Sequence, residues 1–274
     1  MKDFYCFIHI EKCAGTTFSH SLKYNMPTYL SLKPWYFWSN EPNNYLSSLE
    51  LKRIIKLYPF LSGIGGHTTR TYANYEDVVN KNIKYFTFLR DPIARYMSHF
   101  NHQVNKKGID WTIESFINED KFNNCITRRV AGSEDIDIAL YNLKNHYDFI
   151  GVFESYDESL LLLNQLVFNK KIRPNYEVKN DSLNEKKVKF IDLSVEVQEK
   201  IIANNSLDIK LYNEAKTQLY PEFVKKYKGN LEQDLVKFKE ENSDYKYNRL
   251  RYNLIKATRL FTEKIIEPLA HKKQ

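Results

Sequence analysis

The sequence predicts an α/β protein: a P-loop-like three-layer core around a central parallel sheet, with a helical C-terminal region. Three observations carry this. Short apolar runs rich in aromatic and β-branched residues recur at Phe4–Ile10, Tyr85–Leu89 and Phe149–Phe153. Between them lie stretches with apolar residues at helical spacing. From Ser194 onward only the helical pattern continues. The α/β domain is expected over residues 1–220, and residues 221–274 as a helical extension packed on the core or at a surface.

In chain order, the first strand, Phe4–Ile10, runs into Glu11-Lys12-Cys13-Ala14-Gly15-Thr16-Thr17, from which a helix extends to about Tyr24, before Pro27. Residues 27–46 hold three prolines and the cluster Trp35-Tyr36-Phe37-Trp38, and read as irregular. A helix over Ser47–Tyr58 precedes a short strand, Leu61–Ile64, and the loop Gly65-Gly66-His67. Tyr85–Leu89 is the clearest strand. Arg90 closes it and Asp91-Pro92 opens a helix reaching about Asn105, since aspartate accepts free amides at an N-cap and proline fits the first helical position. Further helices are expected at Asp135–Asn145, Ser155–Phe168, Ser194–Asn204 and Asp208–Tyr220, then two charged ones.

At 274 residues, 42% hydrophobic and 27% charged, the chain has ample apolar material for a layered core. Eight glycines and eight prolines exclude collagen-like and linker-dominated architectures. No apolar run approaches the ~18 residues of a membrane-spanning helix. The N-terminal apolar run has no cleavage-site pattern and reads as a strand, so a cytoplasmic location is the expectation. Cys6, Cys13 and Cys125 are scattered and odd in number, which argues against a disulfide framework and most zinc sites.

Forty-one Lys plus Arg against 34 Asp plus Glu leave a net charge of +7, which favours an anionic ligand or surface. Much of it lies in residues 246–274, where eight Lys or Arg stand against Glu263 and Glu267. There Leu250, Leu254, Ala257, Phe261 and Ile265 recur at helical spacing. Such a helix either docks on the protein or a second copy, or lies at the inner face of a membrane.

Two segments have the makings of anion sites. At Ile8–Phe18 a strand turns into a helix whose first amides have no intrahelical partner. Gly15 permits close backbone approach, Thr16 and Thr17 add hydroxyls, and Lys12 adds a compact charge. A Walker A loop carries its lysine after the glycines, whereas Lys12 precedes Gly15, so ordinary ATP hydrolysis is disfavoured. At Phe86–Ser98, Arg90 emerges at the carboxyl edge of the sheet, where open α/β folds bind ligands, and Ser98 follows on the next helix.

As a pair, these segments resemble carbohydrate sulfotransferases: the heparan and uronyl 2-O-sulfotransferases, the galactose 3-O-sulfotransferases and bacterial-type members. FIHIEKCAGTT, Phe7 to Thr17, is similar to their 5′-phosphosulfate loop, and FTFLRDPIARYMSHFN, Phe86 to Asn101, to their 3′-phosphate segment. Weaker echoes are Gly66-His67, Asn124 to Arg128 before Ala131-Gly132, Gly151 to Glu154 before Ser159-Leu160, and Leu211-Tyr212 before Ala215, so the likeness covers roughly residues 4–220. The chain departs from the commonest loop in having Glu11 in place of proline, and Cys13-Ala14 in place of Thr-Gly. Glu11 must then point away from a bound phosphosulfate or pair with a base.

The resemblance implies a sulfuryl donor, 3′-phosphoadenosine 5′-phosphosulfate (PAPS, leaving PAP), and a carbohydrate acceptor: an oligosaccharide, polysaccharide or glycolipid. Lys12 would stabilise the leaving phosphate oxygen; Gly15, Thr16 and Thr17 would cradle the 5′-phosphate; Arg90 and Ser98 would bind the 3′-phosphate, with Arg128 a further donor contact. The transfer requires no metal. His67, after the two glycines, is the expected base, with His20 its rival. Arg70 and Tyr72 are candidates to meet an anionic sugar, and the Trp35–Trp38 cluster to stack on one. Two alternatives stay open: a nucleotide kinase or NTPase, and a non-catalytic glycan-binding protein. Nucleic acid is not an expected partner, because the positive charge is not organised with aromatics on a recognisable module.

Overall fold

The computed structural model describes residues 3–32, 45–177 and 187–271. The Trp35–Trp38 cluster lies outside them. Five strands, β1 (Asp3–Ile8), β2 (Tyr29–Ser31), β3 (Gly63–Gly66), β4 (Asn82–Leu89) and β5 (Phe149–Val152), form one parallel sheet in the order β2-β3-β1-β4-β5. Phe4 to Ile8 of β1 and all of β5 are buried without alternation, the mark of strands covered on both faces. The fold is therefore the layered α/β architecture read from the sequence.

In chain order the α-helices are α1 (Gly15–Asn25), α2 (Ser48–Leu57), α3 (Pro92–Asn101), α4 (Ile113–Ile117), α5 (Cys125–Ala131), α6 (Ile136–His146) and α7 (Tyr156–Leu166). After them come α8 (Val195–Asn204), α9 (Ser206–Glu214), α10 (Tyr220–Lys225), α11 (Leu231–Ser243), α12 (Arg249–Phe261) and α13 (Glu267–His271). Their starts follow side-chain chemistry. Ser47 and Glu50 make a capping box on α2, and Asp91 accepts the Ala94 amide at 2.8 Å to cap α3, with Pro92 at the first helical position.

Three departures from the sequence reading have physical causes. The strand expected at Leu61–Ile64 is Gly63–Gly66. Glycines that read as a loop are inserted between β1 and β2, and a Cβ on Gly65 would sit 1.9 Å from the Tyr29 hydroxyl. Within the segment read as irregular, Tyr29–Ser31 forms a three-residue edge strand, too short to show a period. The helix expected to reach Asn105 stays α-helical only to Asn101, and His102–Lys106 widen into a π turn before Gly108 at φ 67°.

Beneath the first loop, Phe7 stacks on Phe86 at 5.7 Å and meets Phe18 edge-on at 5.0 Å. Phe238 of α11 and Ala270 of α13 join this same core, so the C-terminal helices close against the α/β layers. Tyr24 of α1, Tyr247 and Ile255 of α12 make a smaller cluster. Among the described residues, no helix is long and apolar enough to cross a membrane.

Candidate active site

The chain leaves β1 toward β3 and β2 on one side, then returns to place β4 and β5 on the other. The switch lies between β1 and β4, so their carboxyl ends flank the crevice where such sheets bind ligands. The Thr87 hydroxyl donates to the Ile8 carbonyl at 2.8 Å and pins the point where β1 opens into its loop. Lys12 and Ala14 in that loop have φ of 67° and 62°, left-handed conformations at alternate residues. Such alternation turns successive amides into one concavity. Helix α1 begins there with no side-chain cap and no acid in its first turn. Its amides and dipole are left for an external anion. By contrast, the first amides of α5 are taken by the Asp208 carboxylate, which accepts from Ile126 and Thr127 at 2.9 and 2.7 Å.

Arg90, at the end of β4, donates from Nη1 to the Lys12 carbonyl at 3.2 Å and lies over the Phe153 ring at 4.4 Å. Its buried Nε has no partner among the described residues. Ser98 is half-buried on α3 beside His99. Burial, and then the Arg95 and Lys12 charges, lower His99 to about 3. Thr16 is exposed and Thr17 half-buried at the start of α1. Arg90 thus brings the two segments singled out from the sequence side by side.

His67 leaves β3 directly beside the loop, because Ile8 pairs with Gly66. Its Nδ1 lies 3.0 Å from the His9 carbonyl, which can only accept. The proton of the neutral ring therefore sits on Nδ1, and Nε2 keeps its lone pair. Burial lowers the His67 pKa against the pull of Glu11, so the neutral form is favoured. The His9 ring stacks on His67 at 4.0 Å, and burial with that neighbour holds His9 well below the ordinary imidazole range. A Cβ on Gly15 would fall 1.8 Å from His9 Nε2, so only glycine lets this ring lie against the start of α1.

Glu11 does pair with a base. Both its oxygens accept from Arg129, Oε2 from Nε at 3.1 Å, and Oε1 stands 3.7 Å from His67 Nδ1. Burial would raise this carboxyl, but Arg129 and then His67 hold it well below the usual range. Its charge is neutralised, so it does not repel a neighbouring phosphate. Arg128, the residue singled out from the sequence, instead donates from Nε to Glu134 at 2.7 Å on an exposed face.

The remaining candidates separate by position. His20 faces α12, where its Nδ1 is 3.5 Å from the Tyr252 hydroxyl. Arg70, expected near an anionic sugar, is instead buried and donates to the carbonyls of His67 and Thr69 at 2.8 and 2.7 Å; it braces the His67 loop. Tyr72 is half-buried against Tyr45, ring to ring at 5.7 Å. Glu154 ties strand ends together, accepting from the Asp91 amide at 2.9 Å and the Tyr212 hydroxyl at 2.7 Å. Burial pushes the Cys13 thiol up and Cys125 to about 11, so neither is a ready nucleophile at neutral pH.

Sequence reasoning missed His9, Arg129 and Arg95. Only the structure brings in the first two: parallel pairing of β1 with β3 sets His9 beside His67, and Arg129 lies one helical turn from Cys125, which also faces Glu11 at 3.6 Å. Arg95 is fully buried; its Nη2 reaches the Phe122 carbonyl at 3.3 Å, while Nε and Nη1 lack partners among the described residues. The strain at Ala14 makes a prediction. Ala14→Gly should stabilise the fold by about 0.5–1 kcal/mol, the relief of a left-handed alanine less the added freedom of the unfolded chain. Chemical denaturation checks it; an unchanged or lower midpoint would mean that the loop does not hold this conformation.

No curated protein matches the chain by sequence. Among solved structures it is similar to "Crystal Structure of Fungal RNA Kinase", at 10% identity and a TM-score of 0.33, over 90% of this chain and 100% of that one. A family model described as "Sulfotransferase family" matches residues 2–213, which take in β1 to β5, Lys12, Arg90 and His67. The chain belongs to the sulfotransferase family.

Proposed function

We propose that this sulfotransferase moves a sulfuryl group from PAPS to a hydroxyl of a carbohydrate acceptor. The observation that carries the reading is the junction of the two anion-binding segments, Arg90 on the Lys12 carbonyl at 3.2 Å, with a neutral histidine beside them. A donor with phosphate groups at two separate ends calls for two such segments. The uncapped start of α1 suits the 5′-phosphate, with Gly15, Thr16 and Thr17 around it. Arg90, with its unpartnered Nε, and Ser98 suit the 3′-phosphate. Arg128 stays an outlying contact that would have to leave Glu134.

In-line transfer breaks the bond from sulfur to the 5′-phosphate oxygen and forms one to the acceptor oxygen. The acceptor proton passes to His67 Nε2, whose opposite nitrogen is held by the His9 carbonyl. Lys12 meets the negative charge that grows on the leaving phosphate oxygen, and the rest of the barrier is lowered by positioning. The carbohydrate part of the reading rests on the likeness of both segments to carbohydrate sulfotransferases.

Calorimetric titration with PAP, beside ATP with magnesium, tests the donor. PAP should bind in the micromolar range and ATP weakly, with Arg90→Ala losing PAP affinity by on the order of tenfold or more, the worth of a charge-assisted hydrogen bond. Tight ATP and no PAP binding would favour a kinase, and binding of neither a glycan-binding protein.

A further inference from the structure

Helix α12, the following turn Thr262–Ile266 and α13 form one continuous helical rod with two apolar faces. One face is satisfied. Ile255, Ile266 and Ala270 are buried at 8%, 5% and 0% exposure, against the Tyr24 cluster and the main core. The other is not. Leu250, Leu254, Phe261, Ile265 and Leu269 are 78%, 71%, 51%, 43% and 46% exposed. Spaced four or seven apart, they make a stripe roughly 30 Å long. A row of large apolar side chains in water calls for a covering surface.

Charge says which. Lys264 borders the stripe, with Arg249 and Lys256 beyond and Arg251 at its edge over the Tyr24 ring at 4.8 Å; all four are exposed. Between Tyr245 and His271 the acids are Glu263 and Glu267, both buried in the face that docks on the protein. The exposed side of the rod is therefore apolar and cationic, without a balancing carboxylate. A second copy laid against it would bring like charges together at both borders. A bilayer carrying anionic headgroups meets both demands: acyl chains for the leucines and phenylalanine, phosphates for the bases. We propose that the α12–α13 face docks this protein on an anionic membrane surface, lying on it rather than crossing it.

The test is co-sedimentation with vesicles of phosphatidylcholine and phosphatidylglycerol in equal parts, and with phosphatidylcholine alone. The full chain should bind the mixed vesicles, bind the neutral ones at least about tenfold less, and be released by salt. Leu254→Glu with Phe261→Glu should cut partitioning by about tenfold or more while leaving PAP binding intact. Arg249→Glu with Lys264→Glu, on exposed positions, tests the charge independently, at on the order of fivefold for each cation lost. Failure to bind mixed vesicles, equal binding to neutral ones, or undiminished binding of both variants would overturn the proposal. So would a lipid-free dimer by sedimentation velocity that Leu254→Glu with Phe261→Glu dissociates, which would make the stripe a self-association face.

Discussion

Replacing Lys12 with alanine is expected to lower turnover by on the order of 10²–10³, the scale of one lost transition-state donor. The fold should survive. The backbone at Lys12 is already left-handed, a strain alanine shares, and the carbonyl that receives Arg90 is unaffected. The side chain is half-buried, so its removal leaves no large cavity. PAP affinity should fall much less than turnover, because the charge that Lys12 meets grows as the sulfuryl group leaves. Steady-state kinetics with PAPS, with calorimetry on the same variant, separates the two effects. Turnover near the parent value would remove Lys12 from the mechanism.

The second large effect is expected at His67. His67→Ala should reduce transfer by about 10²–10⁴, the range of a lost general base, with PAP still bound. The pH profile gives a readout that a structural role would not move. Burial places the folded pKa below the ordinary 6.5, so the ring is neutral at pH 7 and kcat/KM should be level there. Activity should fall only as pH drops through that lowered value and the Nε2 lone pair takes a proton. An acid limb above 6.5 would point to another group. His20→Ala is the comparator: its ring faces Tyr252, and its activity should stay near the parent value. Loss in His20→Ala with retention in His67→Ala would reassign the base.

Both predictions rest on features of different legibility. The two segments proposed to bind anions were readable because each is local: a strand, a turn and a helix start within about a dozen residues, with Lys12 and Gly15 in the first and Arg90 in the second. β1, β4 and β5 were readable for the same reason, since burial on both faces writes an unbroken apolar run. β3 was misplaced by two residues because its glycines carry no side-chain period; the neighbours Phe7 and Tyr29 decide that they form a strand. The pairing of Arg129 with Glu11 was closed to sequence reasoning. The phase of α5 depends on Asp208, 82 residues after Ile126, holding its first amides. Arg70 shows the opposite hazard, a charge near the site in sequence that is spent on two loop carbonyls.

Taken by itself, the sequence determined the layered α/β class and the apolar, basic stripe of the last helices, and it singled out the two segments proposed to bind anions. Each follows from residue types at fixed local spacing, which the backbone converts directly into geometry. Only the tertiary structure decided that Arg90 touches the Lys12 carbonyl, that His9 stacks on His67 and fixes which nitrogen is free, and that Arg129 neutralises Glu11. Those contacts join residues 58 to 118 positions apart. They exist because parallel pairing brings distant strand ends to one edge of the sheet, an arrangement set by packing of the whole core rather than by any one segment.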